Sequence, residues 1–549
     1  MKKLFLLLII SFKLFAQAEY VSVDNRVYDF LERMSILHFL ENYNSFEVPK
    51  TRMEIANHLT SLLNNSFQLD EADQMMLKDF ESEFEYELFG TLEKSKAIFG
   101  KDDYNFFSED EKYLFLFSEK SRMNLFININ AEAEGILGKN RPESKFKSAV
   151  LFNVGGEMRG TLLGKIGFFL KGMNGIAKGS YDAALLKNEL KYNFKFNERP
   201  NESFFDETEG YVTADFDLVK LKLGRDRMNI GYGNNKMIIG SNSPLFDYLS
   251  FRVDYDFFSF SYLHGKLLGK NSVIMDSISS SYNFLPEKYF AYHRMGFNVS
   301  DDFNFGLGEV VVYGERSLDL SYLVPFTFFK SVEHSNRDRD NTMLFFDMNS
   351  LHIPQTKLFL IFLIDDIDFS KIGKGWWGNQ TIFNLGLQSS PFYKNLPIDF
   401  KLEYLRIEPY AYSHRLNRNS FTNYGYNLSS NIQPNSELIF LGINYRFTHR
   451  LTLSADFSYS HHGANVLKPD GSIMNVGGDI NLGHRTFDSE SVKFLDGNLE
   501  IFRNYSTSVQ YEPFNQISFF LNAAFTLSST VQIQSQHDSQ FFIGTKLKF

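Results

Sequence analysis

Apolar and polar residues alternate along many short stretches of this chain, from about residue 120 to its last residue. In the first stretch Met123, Leu125 and Ile127 alternate with Asn124 and Asn128. Side chains of a β-strand point alternately to its two faces, so each stretch predicts a strand with one apolar and one polar face. The same alternation recurs at residues 439–447, 451–459, 517–527 and 541–549. Many such strands in one chain are typical of a membrane-spanning β-barrel with a polar lumen.

The first 18 residues have the features of a secretory signal peptide. Lys2 and Lys3 precede an apolar run at 4–10, and Ala16 and Ala18 form a small-x-small cleavage site. No later run approaches the roughly 20 apolar residues that a transmembrane helix needs. An exported chain of this kind can cross a membrane only as strands, so we expect it in the outer membrane of a Gram-negative-type bacterium.

Composition excludes several classes of function. The 549 residues include no cysteine, which excludes disulfides, thiol catalysis and cysteine-bound zinc. A net charge of −10 argues against nucleic acid as a partner. The 60 Phe and 28 Tyr residues favour strands, and aromatic girdles lie at both membrane interfaces of outer-membrane barrels. Outer-membrane lipid is therefore an expected partner.

The last strand is the most specific single feature. Phe541, Ile543 and Leu547 alternate with Gly544 and other lumenal residues, and the chain stops on Phe549. An amphipathic last strand with a terminal aromatic resembles the signal that the barrel assembly machinery recognises. About 430 residues remain for the barrel, and roughly 24 residues for each crossing with its loop predict about 18 strands, with 16 or 20 left open. We expect such a barrel to be a monomer.

Residues 20–95 have helical rather than strand periodicity. Apolar residues recur at helical spacing over about 27–40, 53–63 and 70–84, which predicts three short amphipathic helices. The fold class is therefore an all-β transmembrane barrel of antiparallel strands with a small N-terminal α-helical bundle. The bundle is expected beneath the barrel or partly inside its mouth, as a folding or docking module. The predicted domains are a signal peptide at 1–18, a periplasmic helical bundle at 19–100 and an outer-membrane β-barrel at 101–549.

Polar residues of the stretch 404–410 are assigned to the lumen. If Leu405 and Ile407 face lipid, the lumenal face is shared by Tyr404, Arg406, Glu408 and Tyr410. Tyr rings stacked on sugar faces, with Arg and Glu bonded to hydroxyl and carboxylate groups, suit acidic saccharides. The alternative for each residue is a ladder of lumenal ion pairs that stiffens the barrel wall.

A second charged cluster ends another alternating stretch. Strand geometry points Arg225 and Arg227 one way and Asp226 the other, so the three do not form one ligand cluster. We expect at least one of these arginines to pair with an acid on the lumenal wall.

Catalytic and metal-binding arrangements are weakly supported. Ser413, His414 and Glu408 are close in sequence, whereas a catalytic triad depends on spatial geometry. The aspartates at 365–366 point to opposite strand faces, which does not suit a two-carboxylate glycosidase. The histidines at 461–462 lack a third ligand for zinc. We therefore predict no enzyme activity, no cofactor and no metal.

Short motifs follow one another in a fixed order over about residues 210–465. They are GRDR at 224–227, GYG at 231–233, SPLFD at 243–247, YHRM at 292–295, GEVVVYG at 308–314, LVPF at 323–326, EH at 333–334, DN at 340–341, YAYSHR at 410–415, YG at 424–425 and YSHHG at 459–463. This ordered set resembles the motifs of Wzi-type capsule assembly proteins.

Segments 28–33 and 49–52 are similar to the helical region before such barrels. One departure is Ile230, where relatives often carry a Trp suited to stacking on sugar. Trp376 and Trp377 lie in a Gly-rich segment that we interpret as a loop or girdle.

The resemblance implies an outer-membrane barrel that attaches or organises capsular polysaccharide or exopolysaccharide at the cell surface, as a lectin without covalent chemistry. An outer-membrane porin or substrate channel is the alternative, and the sequence leaves open whether the lumen is open or plugged. The residues that we expect to bind an acidic polysaccharide are Arg225, Arg227, Tyr232, His293, Arg294, Tyr313, Tyr404, Arg406, Glu408, Tyr410, Tyr412, His414 and Arg415.

Overall fold

The computed structural model describes residues 17–99, 105–119, 123–140, 145–199, 202–241, 243–276, 280–337, 339–530 and 536–549. The predicted signal peptide lies outside these residues except for Gln17 and Ala18. The barrel strands, in chain order, are β1 (Met123–Asn140), β2 (Lys147–Leu162), β3 (Ile166–Gly179), β4 (Glu202–Asp215), β5 (Val219–Arg225), β6 (Asp247–Tyr255), β7 (Phe258–Leu268), β8 (Glu287–Ser300), β9 (Phe303–Gly314), β10 (Asn341–Ile353), β11 (Thr356–Asp366), β12 (Gln380–Ser389), β13 (Ile398–Ile407), β14 (Ser436–Thr448), β15 (Leu451–Ala464), β16 (Asn498–Phe514), β17 (Ile517–Thr530) and β18 (Gln536–Lys548).

Within the described residues these eighteen antiparallel strands close into a barrel. Each strand pairs with its neighbours in the numbering, and β18 returns to β1 with Lys548 opposite Asn130. Phe549 continues this pairing, because its N–H donates to the Ile129 carbonyl at 3.0 Å. Closure removes the unpaired strand edges that lipid could not satisfy. The predicted fold class and strand number are confirmed.

Two shorter strands pair with strands of the barrel, and the other short strands form separate two-stranded sheets. Phe115–Glu119 pairs with β1, and Phe194–Arg199 pairs with β4. The other short pairs are Glu47–Val48 with Asn229–Ile230, Ser95–Ala97 with Glu111–Tyr113, Ser272–Asp276 with Ser280–Phe284, Thr422–Asn423 with Tyr426–Asn427, and Val466–Leu467 with Ile473–Met474.

The two ends of the barrel differ in the length of their connections. At one end, the turn end, neighbouring strands join through short turns such as those at 163–165, 301–302 and 515–516. At the other end, the loop end, the connections are long. The longest are residues 180–201, 226–246, 269–286, 315–340, 408–435 and 465–497.

The strands have the predicted two faces. Leu441, Leu453, Leu521 and Ile543 are exposed on the outside of the barrel, as their alternation predicts. They form part of an apolar band of the kind that faces lipid in outer-membrane barrels.

Helices lie at the three predicted N-terminal places and in two of the long loops. The first three N-terminal helices pack around a core that includes Phe30, Leu31, Ile55, Leu59 and Phe80. The helices are α1 (Val27–Ile36), α2 (Arg52–Asn64), α3 (Glu71–Glu83), α4 (Glu85–Phe89), α5 (Tyr181–Ala184), α6 (Leu190–Asn193), α7 (Leu320–Leu323) and α8 (Phe329–Ser335), with 3₁₀ turns at Ser66–Gln68, Phe369–Lys371 and Asn417–Asn419. No helix in the described ranges is both long enough and apolar enough to cross a membrane.

The N-terminal bundle occupies the mouth of the barrel at the turn end. Its contacts are with lumenal side chains near the short turns, so the bundle is held inside the wall rather than beside it. Ion pairs across this interface include Glu32 with Lys357, Arg33 with Asp399, Glu54 with Arg252, and Asp79 with Arg450.

The lumen above the bundle is filled by loops. Residues 226–241, 243–246 and 408–435 fold inward from the loop end. Asn229–Ile230 pairs with Glu47–Val48 of the N-terminal segment. Strands β7–β13 turn apolar side chains toward these loops, and we call their lumenal face the packed wall. The resulting core includes Phe46, Ile230, Tyr232, Met237, Leu263, Phe290, Tyr292, Val310, Phe345, Phe359, Ile361, Ile382, Leu405, Ile407, Tyr412 and Phe421.

Candidate functional site

The structure distributes the thirteen predicted polysaccharide-binding residues over three places. It brings Glu408, Tyr410, His414 and Arg415 together in the loop that follows β13. Four others lie in the lumen: Arg227, Tyr232, Arg294 and Tyr412. The remaining five lie on the outer face of the wall: Arg225, His293, Tyr313, Tyr404 and Arg406.

The predicted faces of β13 are wrong. Leu405 and Ile407 are fully buried in the lumenal core, whereas Tyr404 lies on the outer face between Leu385 and Ile439 of the neighbouring strands. The reason is that loops fill the lumen beside this end of β13, so its lumenal face carries Leu405 and Ile407 while Tyr404 and Arg406 face outward. Alternation cannot then tell which face is turned to lipid.

The 225–227 cluster is also divided differently from the prediction. Arg225 points outward and pairs with Asp247 at 3.2 Å, while Arg227 lies in the lumen and pairs with Glu207 at 2.6 Å. The strand ends at Arg225, so its alternation does not extend to Arg227. The Arg227–Glu207 pair is the expected ion pair between an arginine and an acid of the lumenal wall.

Tyr232 and Arg294 are buried in the interior, where they make hydrogen bonds and an ion pair, and they do not form part of a surface. The Tyr232 hydroxyl accepts from the Asn349 amide at 2.8 Å, and its ring is 1% exposed. Arg294 donates to both carboxylate oxygens of Asp347, at 2.7 and 2.8 Å, and its guanidinium lies over the Phe46 ring of the N-terminal segment. These residues are inaccessible to a polymer and join the bundle to the wall.

The loop end carries an aromatic cluster that the sequence interpretation missed. Trp377 stacks on His484 with ring centroids 3.9 Å apart and an interplanar angle of 5°, and it meets the Tyr410 ring edge-on at 5.8 Å. Trp376 lies 5.8 Å from Trp377. We call these four residues the aromatic strip. Its only signal in the sequence is the Trp376-Trp377 pair, because Tyr410 and His484 come from distant loops.

Three loops build the aromatic strip. The Val492 N–H donates to the Gly375 carbonyl at 2.7 Å, and the Tyr410 N–H donates to the Gly477 carbonyl at 3.0 Å. The Trp377 indole N–H donates to Glu490 at 2.9 Å. These contacts fix the indole plane before any ligand arrives, which reduces the entropy lost on binding.

Cations border the aromatic strip. The Lys371 ammonium lies 3.8 Å from the Trp376 ring centroid, and Arg485 pairs with Asp488 at 2.8 Å next to His484. The neighbouring His414 imidazole is mostly enclosed, and burial lowers its pKa to about 4, so His414 is neutral at pH 7. An aromatic surface flanked by ammonium and guanidinium groups matches a sugar ring that carries a carboxylate.

A polar cavity of about 350 Å³ lies in the lumen between the bundle and the inward loops. Its lining includes Glu32, Asn229, Asn234, Lys236 and Lys401. The Lys236 ammonium donates to the Gly231 carbonyl at 2.9 Å, and burial lowers its pKa to about 8.

The triad and metal arrangements considered from the sequence do not assemble. The Ser413 hydroxyl donates to the Tyr410 carbonyl at 2.6 Å, and His414 Nδ1 accepts from the Leu416 N–H at 3.1 Å instead of contacting Ser413. Among the residues that the structure describes, no group of three or more His, Asp or Glu side chains is arranged to hold a metal ion.

The model of the family described as capsule assembly protein Wzi matches residues 143–512. No curated protein matches the sequence. The structure of Wzi from Escherichia coli, described as an outer membrane protein involved in group 1 capsule assembly and a carbohydrate-binding β-barrel, is similar with a TM-score of 0.59 and 11% identity, covering 97% of this chain and 100% of that chain. At this identity the likeness concerns the fold.

Two further solved structures are less similar. OccAB2 of Acinetobacter baumannii has a TM-score of 0.46 at 10% identity, over 77% of this chain and 98% of that chain. OccK8 (OprE) of Pseudomonas aeruginosa has a TM-score of 0.44 at 11% identity, again over 77% and 98%. Likeness at this level carries no argument about function. The match to the family model extends over more than half of the chain, and this protein therefore belongs to the Wzi family of capsule assembly proteins.

Proposed function

We propose that this protein binds an acidic capsular polysaccharide or exopolysaccharide at the cell surface and helps to attach or organise it there, without covalent chemistry. The observation that carries the proposal is the filled lumen: the bundle enters from the turn end, the loops enter from the loop end, and the two are joined by strand pairing. A porin requires a continuous aqueous path, which this packing does not favour. The accessible surface left for a polymer is the loop end, where Trp376, Trp377 and His484 are partly exposed and Tyr410 is buried against Trp377.

The proposal includes an orientation. The loop end faces the cell exterior, and the turn end with the bundle faces the periplasm, because short turns are periplasmic and long loops extracellular in bacterial barrels. The protein is placed in the membrane as a monomer by the barrel assembly machinery, which reads the last strand and Phe549. The polymer is held by stacking on Trp377 and Trp376 and by pairing of its carboxylates with the flanking Lys371 and Arg485.

The two tryptophans provide the test, because they are the only ones in the chain and both lie in the aromatic strip. Titration of the purified barrel with acidic polysaccharides should change the tryptophan emission in a saturable manner. His484→Ala removes the ring stacked on Trp377 and should weaken binding at least tenfold. The matched control is His461→Ala, which removes a histidine that pairs with Glu437 on the outer wall.

Two results would contradict the proposal. One is equal polymer affinity in His484→Ala, His461→Ala and the unaltered protein. The other is a large steady conductance of the unaltered protein in planar bilayers, which would favour a channel. In cells, deletion of the gene should leave polymer synthesis intact and release polymer into the medium.

A further inference from the structure

The connection between β9 and β10 folds onto the outside of the barrel. We call its residues 315–337 and 339–340 the outer segment. Phe326 stacks on Phe260 with ring centroids 4.6 Å apart, and the Tyr262 hydroxyl donates to the Tyr322 carbonyl at 2.8 Å. Phe260 is on the outer face, because it lies in one row with Met295 and Leu307, which are both exposed on the outside. The outer segment therefore covers wall that would otherwise face lipid.

Polar groups of the outer wall fasten this segment. Glu309 accepts from the Phe329 and Lys330 N–H groups at 2.7 and 3.1 Å, and it pairs with His293 at 3.0 Å. Tyr313 accepts from the Asp319 N–H at 3.1 Å. A carboxylate and an imidazole on the lipid-facing side of a barrel are costly unless they are paired and covered. The outer segment supplies that cover, which accounts for the placement of His293, Glu309 and Tyr313.

The segment also leaves apolar side chains uncovered, among them Phe326, whose ring contacts Phe260 and is still largely exposed. Leu320, Val324, Phe326 and Phe328 are 74%, 51%, 72% and 54% exposed. The run 320–329 has the sequence LSYLVPFTFF and carries no charge, while Asp319 and Lys330 flank it. These two flanking residues are in ion pairs with Arg316 and Glu333. A large exposed apolar patch that is bounded by charges indicates an interaction surface.

The height of this patch identifies its partner. With a strand rise of about 3.3 Å per residue and a tilt of about 40°, Glu309 lies roughly 18 Å above the turn at Asp302, within the apolar band of about 25 Å. Phe326 contacts Phe260, which is paired with Met295 across the sheet. On the outer face this pair is the next one below Glu309, toward the turn end. The exposed residues are thus continuous with the lipid-facing band of the barrel.

We propose that the outer segment is inserted in the leaflet on the loop-end side of the membrane and binds lipid acyl chains with Leu320, Val324, Phe326 and Phe328. It forms a second lipid-facing layer over β7–β9. The partner is the acyl chain itself, whichever lipid carries it, because the patch presents no charged group between residues 320 and 329.

The absence of native cysteine allows a direct depth measurement. Phe326→Cys, Leu307→Cys and Phe487→Cys are each labelled with an environment-sensitive fluorophore and reconstituted in phosphatidylcholine vesicles with brominated acyl chains. Leu307 is a lipid-facing strand residue, and Phe487 is exposed in a different loop at the same end. Quenching at position 326 should match position 307 within twofold and exceed position 487 at least fivefold. Quenching at position 326 equal to that at 487 would overturn the proposal.

A second measurement tests whether the hydrogen bonds of Glu309 and Tyr262 hold the outer segment against the barrel. Glu309→Ala in the Phe326→Cys background removes the acceptor for two backbone N–H groups, so quenching at position 326 should fall at least twofold. Tyr262→Phe, which removes one hydrogen bond and keeps the ring, should give a smaller decrease in the same assay and serves if the first variant does not fold. Undiminished quenching in the folded variants would show that Glu309 and Tyr262 do not hold the segment in the leaflet.

Discussion

Two sides of the lumen have the same strand geometry and opposite chemistry. The packed wall, β7–β13, turns Leu263, Val310 and Ile361 inward, and all are buried against loops and bundle. We call the lumenal face of β15–β18 the polar wall; it turns residues such as Ser508 and Asn522 inward, and these are only half-buried. The difference teaches that the material filling the lumen beside a barrel strand, and not the strand's own alternation alone, decides whether its apolar or its polar side chains face inward.

Breaking the buried Arg294–Asp347 pair should be the most destabilising change. Arg294→Met leaves the Asp347 carboxylate buried without its partner, and the free energy of unfolding should fall by about 3–5 kcal/mol. Urea unfolding of the barrel in lipid vesicles measures this. The polar-wall control is Lys546→Met, where the ammonium is 60% exposed and pairs with Glu132 at 3.7 Å, and its loss should cost less than about 1 kcal/mol. Equal costs would contradict the contrast between the walls.

Leu405 and Leu402 are on opposite faces of β13 and make a matched pair. Leu405→Ala opens a cavity in the packed core and should lower the free energy of unfolding by about 2–5 kcal/mol. Leu402→Ala should cost less, because fluid acyl chains can fill the space at the outer face. A larger loss of stability for Leu402→Ala in the same unfolding assay would support the prediction from the sequence, in which Leu405 faces lipid.

The buried Lys236 should make stability depend on pH. Its ammonium has a pKa of about 8 in the folded protein and near 10.5 in the unfolded chain. Between these values the unfolded state binds more protons, so this group makes the free energy of unfolding rise with pH. Lys236→Met removes the titrating group and should flatten the rise between pH 8 and 10.5. A slope equal to that of the unaltered protein would show that Lys236 does not titrate in this range.

Ser508→Ala on the polar wall should have the smallest effect. The side chain is half-buried and opposite Asn522 and Ser454 of the neighbouring strands. Its removal opens no packed cavity, so the free energy of unfolding should change by less than about 0.5 kcal/mol in the same assay. A cost comparable to that of Leu405→Ala would mean that the polar wall is also tightly packed.

The contrast between the packed wall and the polar wall also explains how much of the fold could be predicted from the sequence. Alternation, the last strand and residue counting were sufficient for a closed barrel of 18 strands, because those features reflect lipid on one side of every strand. The outward faces of Ile439 and Leu441 follow the pattern directly. The helical spacing before residue 95 places the N-terminal helices for the same local reason.

The candidate site was less predictable, because it depends on contacts between distant loops. Tyr404 and Leu405 exchange faces relative to the prediction because the loops fill the lumen beside β13. His293 and Glu309 have the composition of a lumenal pair, yet they lie outside beneath the outer segment. The stacking of Trp377 on His484 joins residues that are more than a hundred positions apart, and no periodicity records such a contact.

The strand pairing inside the lumen has a mechanical consequence. Backbone hydrogen bonds, joined by short pieces of chain, link the bundle side of the lumen to the aromatic strip. A displacement of the inward loops would therefore pull on the N-terminal segment, and a displacement of the bundle would be transmitted to the loop end. The bonds in this series join Phe46 to Gly231, Ile230 to Ile239, Gly240 to Leu428, Leu428 to Phe421, Phe421 to Tyr412, and Tyr410 to Gly477.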